Sequence, residues 1–302
     1  MAGQWEEAAA RAARKAAVPR LIRALKWLAW FCRKKPLGAV GMAIILAMIV
    51  MAVAAPFITF YDTVSWNLDD KLVGPSASHW LGTDDYGRDL WTRLAYGART
   101  SLIVGFGATM LGTLVGGTFG LVSAYYGGKV DQVIQRMTDA LMAIPTLIMA
   151  LVLMAALGQS LFNVILAVGI SRMDSACRIV RSQALSVRES EYALAARAIG
   201  ASSPRIMFLH IMPQCLAPWI IMTSAGLGAA ILAESSLSFL GLGVPPPAPS
   251  WGGMLSGPAR DFYAIAPWLA IWPGVALSLA IYGFNLFGDS MRDVLDPRLR
   301  GA

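Results

Sequence analysis

Charged residues are scarce in this chain. Of its 302 residues, 14% are charged and 57% are hydrophobic, and the mean hydropathy is +0.58. Soluble domains carry about 25% charged residues. The composition therefore excludes an ordinary soluble domain and indicates an integral membrane protein. The net charge of +7 does not call for nucleic acid as a partner, because the basic residues cluster beside hydrophobic segments in contact with a lipid bilayer.

Cysteine and histidine are also rare. Cys32, Cys177 and Cys215 are an odd number of cysteines, widely spaced and without a C-x-x-C pair. We therefore expect neither a disulfide framework nor a metal site. The two histidines, His79 and His210, belong to different segments that we expect on opposite faces of the membrane.

Catalytic motifs are missing as well. The sequence contains no G-x-x-x-x-G-K-[ST] phosphate loop, no G-x-S-x-G and no H-E-x-x-H. We therefore expect no catalytic residue and no cofactor bound by this chain. Its activity, if it depends on ATP, requires another subunit to hydrolyse the nucleotide.

Six apolar segments are present, each a candidate for a membrane crossing, which takes about 20 residues as a helix. They are Leu37–Phe60, Ser101–Ala124, Met137–Leu157, a segment starting at Leu161, Cys215–Leu240 and Tyr263–Phe287. The apolar part of the fourth ends near Ile170. It reaches Ala184 if three charged residues face protein or water: Arg172, Asp174 and Arg178. The sequence therefore predicts an all-α membrane protein with six transmembrane helices.

The basic residues orient these segments. Twenty Lys and Arg residues fall on one face and five on the other, so the positive-inside rule places both termini in the cytoplasm. The predicted parts are a basic amphipathic segment (1–36), a first transmembrane helix (37–60), an external segment (61–100), a core of five helices (101–287) with a cytoplasmic loop at about 186–213, and a cytoplasmic tail (288–302).

The external segment ends in a short amphipathic pattern. One face carries apolar side chains at helical spacing: Leu90, Trp91, Leu94 and Ala98. Asp89 and Arg93 are four residues apart on another face, which predicts an ion pair. We expect an interfacial helix that lies along the outer membrane surface before the second span.

The stretch Glu191–Pro213 is a polar island between two apolar segments. It predicts a short helix over Glu191–Ile199, closed by Gly200 in the left-handed conformation that glycine adopts without a Cβ penalty. Ser203 as the N-cap and Pro204 as the first residue then begin a second helix. An exposed helix, turn and helix of this kind suits the docking of a soluble partner. The simpler alternative is an ordinary basic cytoplasmic loop.

The second apolar segment carries a glycine at every fourth position. Gly112, Gly116 and Gly120 would let another helix approach closely, because small residues at this period favour helix packing in lipid. A glycine-lined pore is the alternative that we consider less favoured.

A few ionisable and proline residues interrupt the apolar segments. Glu234, with Ser235 and Ser238, is either a pathway or gate group or a helix-end group bonded to a neighbouring helix, and the sequence favours neither. For Asp139 we favour bonding to a neighbouring helix. Pro145 predicts a kink in the third span.

The polar island resembles a motif of bacterial ABC importer permeases, in which E-A-A, a glycine and I-x-L-P recur at fixed spacing. Ala195, Ala196, Gly200 and Pro213 fall at the matching positions. This sequence departs from the motif at three places, where other residues replace Glu, Ile and Leu: Leu194, His210 and Met212.

Further motifs resemble the peptide and nickel branch of these permeases, the dipeptide/oligopeptide permease C-type family. They are Gly82-Thr83-Asp84, Gly87-Arg88-Asp89, Gly97-Ala98-Arg99-Thr100-Ser101, the stretch 237–255 and the tail 288–301. The resemblance runs from about His79 to the C-terminus.

The resemblance implies a type I ABC importer permease fold in a bacterial inner membrane. The chain would form half of a pathway with a second homologous permease, receive its solute from an external binding protein, and be driven by two cytoplasmic ATPases that bind ATP and Mg. The coupling helix would dock those ATPases through Glu191, Tyr192, Ala195, Ala196, Arg197, Gly200, Ala201 and Pro213.

A self-sufficient secondary transporter or channel is the alternative class. Such a protein would show internal repeats and paired charges at mid-span. The sequence shows no repeat between the third and fifth segments and no such pair of charges.

Overall fold

The structure, a computed structural model, describes residues 28–295. The predictions for residues 1–27 and 296–302, which cover most of the basic N-terminal segment and the end of the tail, lie outside the described residues. Within the described range the chain is built of helices, and its only β-type pairing is an isolated bridge between Thr83 and Asp89.

The helices follow one another in chain order, after a helical stretch at residues 28–34. They are α1 (Pro36–Ile58), α2 (Leu90–Tyr126), α3 (Gly128–Met142), α4 (Thr146–Leu157), α5 (Leu161–Ile170), α6 (Met173–Arg188), α7 (Glu191–Ala198), α8 (Ser203–Phe239), α9 (Trp251–Leu255), α10 (Pro258–Asp261) and α11 (Trp268–Leu295).

Four of the described helices, α1, α2, α8 and α11, are long and apolar enough to cross a membrane. The pair α3 and α4 makes a fifth candidate, but it bends by 92° at a short break. Ala143–Pro145 forms that break, because Pro145 cannot donate the hydrogen bond that a continuous helix needs. The predicted kink is therefore a full change of direction.

The predicted fourth span is divided. Its apolar part is α5, only 10 residues or about 15 Å long, which is short of the ~30 Å hydrocarbon core. The chain turns at Ser171 and Arg172, and α6 begins at Met173 as a separate amphipathic helix. The apolar part thus ends at Ile170 as predicted, and the alternative of a span that runs on to Ala184 is not a single helix.

The prediction of a separate interfacial helix before the second span is wrong. Residues Leu90–Ala98 form the first turns of α2, which continues without interruption for 37 residues. The physical reason is burial: Leu90, Leu94 and Ala98 pack inside the protein and not along a membrane surface. Asp89 caps the helix by accepting a hydrogen bond from the Thr92 backbone N–H, so it does not pair with Arg93.

The boundaries of α1 shift by one or two residues, whereas both ends of α11 and the start of α8 shift by five to twelve residues. α1 ends at Ile58, and α11 starts at Trp268, because residues 263–267 form a turn before it. α8 starts well before Cys215, and its first part includes the π-helical segment Ile206–Ile211.

α2 is the central helix of the bundle and contacts α1, α3, α5, α6 and α8. Gly112, Gly116 and Gly120 lie where α2 crosses the end of α5 and the length of α6. A Cβ added at Gly116 would overlap the Met173 carbonyl oxygen, and one at Gly120 would overlap that of Cys177. Only glycine permits this backbone approach.

Ion pairs attach α3 to α6. Nε and Nη2 of Arg181 donate to the two oxygens of the Asp131 carboxylate at 2.7 and 2.6 Å, and Arg178 donates to Asp139 at 2.6 Å. Asp139 is thus bonded to a neighbouring helix, as the sequence favours.

Candidate functional site

The first candidate site is α7, which lies at one end of the bundle, called here the α7 end. Ala193 and Ala196 are its buried residues, three positions apart on one face. Their small side chains bring α7 close to a cluster formed by the ends of α2, α6 and α8, which includes Tyr125, Val187 and Ile206. The helix is therefore held by apolar contacts on one side and exposed on the other.

Gly200 closes α7 with a complete C-terminal turn. Its φ is +81°. The Gly200 N–H donates to the Arg197 carbonyl at 3.0 Å, and the Ala201 N–H donates to the Ala196 carbonyl at 3.1 Å. These two bonds define a Schellman motif, which satisfies the carbonyls that a helix end leaves free. A side chain at Gly200 would meet nothing within 4 Å, so only the backbone conformation requires glycine there.

The chain restarts one residue earlier than the sequence predicts. Ser202, and not Ser203, occupies the N-cap position of α8, and its side chain makes no capping hydrogen bond. Pro204 is therefore the second helical residue. The following six residues, Ile206–Ile211, are π-helical. Such segments are rare and often occur at functional sites; here one joins α7 to a membrane-spanning helix.

The outer face of α7 is apolar at its centre. Tyr192 and Leu194 are each almost half exposed, and Ile199 is 85% exposed. Arg197 and Glu191 are exposed beside them. Contiguous apolar groups with a charged border are typical of a surface that binds another protein.

Two contacts missed by the sequence analysis connect α2 to its neighbours at the α7 end, one from α6 and one from α7. Arg188, at the end of α6, donates from Nη1 to the Ala124 carbonyl at 2.8 Å and so caps the C-terminus of α2. The Arg197 guanidinium lies 5.7 Å from the centre of the Tyr125 ring, within cation–π range. In the sequence, Arg188 and Arg197 appear only as isolated arginines. Their partners are 64 and 72 positions away, and no local pattern identifies those partners.

The remaining residues of the predicted docking set are divided. Ala195 is exposed, Ala196 is buried on the inner face of α7, and Ala201 is half-buried against the same cluster. Pro213 lies away from the outer face of α7, in α8, where it lines a cavity. The structure therefore separates an exposed surface (Tyr192, Leu194, Ala195, Arg197, Ile199 and Gly200) from the residues that hold it in place.

The second candidate, Glu234, is fully buried near the other end of α8. Three serine hydroxyls donate to its carboxylate: Ser238 at 2.8 Å, Ser101 at 3.2 Å and Ser235 at 3.3 Å. Ser101 belongs to α2, so this group joins two helices. Glu234 lines neither of the two large cavities of the described chain. The geometry therefore favours a role for Glu234 in bonding α8 to α2 and not a role as a gate, although Ser238 does line a cavity.

That opposite end of the bundle, called here the loop end, carries a buried polar network. His79 and Asp89 are bonded at 3.0 Å, and Asp84 accepts from Arg88 at 2.7 Å and approaches Arg93 at 3.5 Å. These side chains are the G-T-D and G-R-D motifs of the sequence, folded against the start of α2. No group of three or more His, Cys, Asp or Glu side chains in residues 28–295 is arranged to hold a metal ion.

One carboxylate of this network is not satisfied. Asp85 Oδ1 is buried without a hydrogen-bond partner in the described part of the chain. Burial, together with the neighbouring Asp84, raises the pKa of Asp85 above its ordinary value.

Two cavities of similar size lie at the two ends. The loop-end cavity, about 900 Å³, is bordered by Trp66, Tyr86, Arg88, Arg93, Ser238 and the proline-rich loop (residues 240–250). The α7-end cavity, about 1020 Å³, lies between α6, α8 and α11. Both are within or slightly above the size range of small-molecule sites.

A chain whose described residues form several helices long enough to cross a membrane, with a large cavity at each end and an exposed helix and turn, has the features of a multi-pass transport subunit. Comparison with known proteins agrees. The chain belongs to the family of binding-protein-dependent transport system inner membrane components, whose model matches residues 95–301. A model of the N-terminal transmembrane domain of oligopeptide transport permease C matches residues 29–75. The protein is therefore the permease component of an ABC importer and is not itself the ATPase.

Individual relatives cover most of the chain. It is 44% identical to the dipeptide transport system permease protein DppC of Alkalihalophilus pseudofirmus, over 89% of this chain and 88% of that protein. It is 40% identical to the oligopeptide transport system permease protein OppC of Bacillus subtilis, over 89% and 88%. The glutathione transport system permease protein GsiD of Pectobacterium atrosepticum is 39% identical, over 89% of each.

A solved structure shares the fold. A chain of the MetNI methionine ABC transporter, in an inward-facing conformation, superposes with a TM-score of 0.55 over 68% of this chain and 97% of that one. At 16% sequence identity this likeness concerns the fold alone.

Proposed function

We propose that this chain is one of two homologous permease subunits of a peptide importer, and that α7 is the helix through which partner ATPases drive it. The relatives named above are permeases of dipeptide, oligopeptide and glutathione systems, which supports a peptide as the solute. The family description supports a binding protein and an ATPase as partners.

The observation that carries this proposal is the construction of α7. Its outer face is exposed and apolar, while its inner face contacts the ends of α2, α6 and α8 together. A partner that pulls or rotates α7 would therefore act on three helices at once. The contacts of Arg197 with Tyr125, and of Arg188 with the end of α2, extend this path to the central helix.

The orientation follows from the basic residues. With most Lys and Arg on one side, the α7 end and both termini lie in the cytoplasm of a bacterial inner membrane, and the loop end faces outward toward the binding protein. Six spans result if the bent pair α3–α4 is the third and α5 with the first turns of α6 is the fourth. ATP and Mg are then bound by the ATPase subunits on the cytoplasmic side.

Labelling of single cysteines tests the orientation. Ser78→Cys and Ser202→Cys, each in a chain whose three native cysteines are replaced, place a thiol at the loop end and at the α7 end, respectively. An impermeant maleimide added to intact cells should label position 78 and not position 202. The reverse pattern would invert the whole assignment.

The function itself is tested by reconstitution with the partner permease, the ATPases and the binding protein. Peptide-loaded binding protein should stimulate ATP hydrolysis and accompany uptake of the peptide into proteoliposomes. The purified chain alone should show no ATPase activity above background. Uptake by this chain without any ATPase would contradict the proposal.

A further inference from the structure

Arg172 lines the α7-end cavity. Arg172 lies at the turn between α5 and α6, where the predicted fourth span is divided. The apolar helix α5 therefore ends just before this charged residue. A role for this residue toward the solute rests on the proposed function.

In the proposed orientation, Arg172 lies about midway between the two ends of the helix bundle. A Cβ built on Gly112 of α2 would lie 3.6 Å from the Arg172 Cβ, and one on Gly226 of α8 would lie 3.5 Å from its Nη2. Gly112 is 14 residues from the α7 end of α2, and Gly226 is 13 residues from the loop end of α8. At about 1.5 Å per residue, both ends are roughly 20 Å away.

This guanidinium has no bonded partner. Neither a hydrogen bond nor an ion pair joins the Arg172 side chain to any described residue, and the nearest acidic influence on it is Asp174, two positions along the chain. The other arginines of α6 contrast with it: Arg178 pairs with Asp139, Arg181 with Asp131 and Arg188 with Glu189. An unpaired cation at this depth is costly, which makes it a functional group by default.

The surroundings suit a small polar solute. Arg172 shares the cavity with Gln183, Gln214, Asp289 and Arg292, among apolar side chains of α8. The cavity volume of about 1020 Å³ exceeds what one or two water molecules need and accommodates a short peptide. Gly226, without a side chain, leaves the guanidinium open on the side of α8.

We propose that Arg172 binds the carboxylate of the transported peptide at the middle of the pathway. A guanidinium presents two parallel N–H donors that match the two oxygens of a carboxylate, a geometry that a Lys ammonium does not offer. A free C-terminal carboxylate is the group that every unmodified peptide carries whatever its side chains. One cation at this site therefore recognises peptides in general and selects no particular sequence.

The test uses the complete complex in nanodiscs, with the partner permease and both ATPases but without the binding protein, so that only the pathway contributes. Binding of tritiated Ala-Ala is displaced either by unlabelled Ala-Ala or by Ala-Ala amide, which lacks the carboxylate. The wild type should prefer the acid over the amide by about tenfold or more, as expected of a charge-assisted hydrogen-bonded pair.

Three substitutions separate recognition from structure. Arg172→Gln should weaken Ala-Ala binding by about tenfold or more and abolish the preference for the acid. Arg172→Lys should retain part of that preference. Arg178→Gln is the matched control, because it removes a cation of α6 that pairs with Asp139 outside the cavity, and the acid-to-amide ratio should not change.

The outcomes are distinct. If Arg172→Gln retains the acid-to-amide ratio, or weakens both ligands equally, the carboxylate assignment is wrong. If it releases the partner permease, Arg172 pairs with an acid of that subunit and the assignment is likewise overturned. A wild-type complex whose ATP hydrolysis is stimulated by its peptide-loaded binding protein but that binds no Ala-Ala would overturn the carboxylate inference and leave the proposed function standing. A complex that the peptide-loaded binding protein does not stimulate would overturn the proposed function itself.

Discussion

The same glycine turn closes a helix at each end of the molecule. Gly200 ends α7 and Gly241 ends α8, each with φ of +81°, and a side chain at either position would meet nothing within 4 Å. Gly241 donates to Ser238 and Leu242 donates to Leu237, which repeats the two bonds made by Gly200 and Ala201. The two turns therefore have the same φ and the same pair of backbone hydrogen bonds, but their surroundings differ.

The surroundings differ in what holds the helix before the turn. Before Gly241, Glu234 joins the last turns of α8 to α2 through serine hydroxyls, and Gln159 donates to the Gly241 carbonyl. Before Gly200, α7 is held by two buried alanines and one cation–π contact. The loop end is fixed by specific polar bonds, whereas α7 rests on nonspecific apolar contacts. Regions with few buried contacts open at lower free energy, so we expect α7 to detach more readily than the last turns of α8.

We expect the largest effect from a change at the crossing of α2 and α6, because both ends of the molecule depend on that crossing. In Gly120→Ala, the new Cβ would overlap the Cys177 carbonyl and force α2 away from α6. We expect a loss of at least ~3 kcal/mol of stability and little assembled complex, measured as the yield of monodisperse protein. Gly274→Ala is the control, since its Cβ meets only Leu255 at an ordinary 3.9 Å. Normal assembly of Gly120→Ala would show that the crossing tolerates separation.

A smaller and local effect is expected at the loop end. Asp89→Ala removes the cap of α2 and leaves buried His79 without its partner, at a cost of about 2–4 kcal/mol. Hydrogen exchange should increase in residues 62–89 and not in α7. Asp69→Ala is the control, because Asp69 is exposed and its side chain bonds no described residue, and it should change neither. Equal increases at both ends would contradict the independence of the two regions.

The smallest effect concerns Asp85, whose pKa is raised by burial and by Asp84. A raised pKa means that the folded state binds the proton more tightly, so the charged form destabilises the fold at neutral pH and stability recovers as the pH falls. Asp85→Asn should therefore raise the unfolding temperature slightly at pH 7. The difference should shrink as the pH approaches the ordinary pKa of aspartate. A difference that grows on acidification would contradict this assignment.

The sequence predicted elements whose signals are local. The α7 helix and its glycine turn follow from cap chemistry within ten residues, and the kink at Pro145 follows from one missing N–H. Hydropathy likewise located α1, α8 and α11 to within several residues at most of their ends, apart from the early start of α8. These features need no knowledge of what the segment packs against.

The features that the sequence did not predict depend on distant partners. The continuity of α2 through Leu90–Ala98 follows from burial against Trp251, whose Nε1 donates to the Leu94 carbonyl from 157 positions away. The expected Asp89–Arg93 pair fails because Asp84 and His79 compete for these side chains. Arg172 was recognisable in the sequence as a charge within an apolar run. That it lies unpaired midway along the bundle could be seen only from the positions of α2 and α8.

The central claim, that α7 couples the ATPases to the pathway, is tested most directly by comparing Gly200→Val with Gly241→Val. Both changes place a β-branched residue at the same φ of +81° in open space, so the backbone strain is matched. The measurement is retention of the ATPase subunits on the purified permease pair, together with ATP hydrolysis stimulated by the binding protein. We expect Gly200→Val to assemble with its partner permease but to lose the ATPases or their stimulation, and Gly241→Val to retain the ATPases. Wild-type retention and stimulation in Gly200→Val would contradict the account.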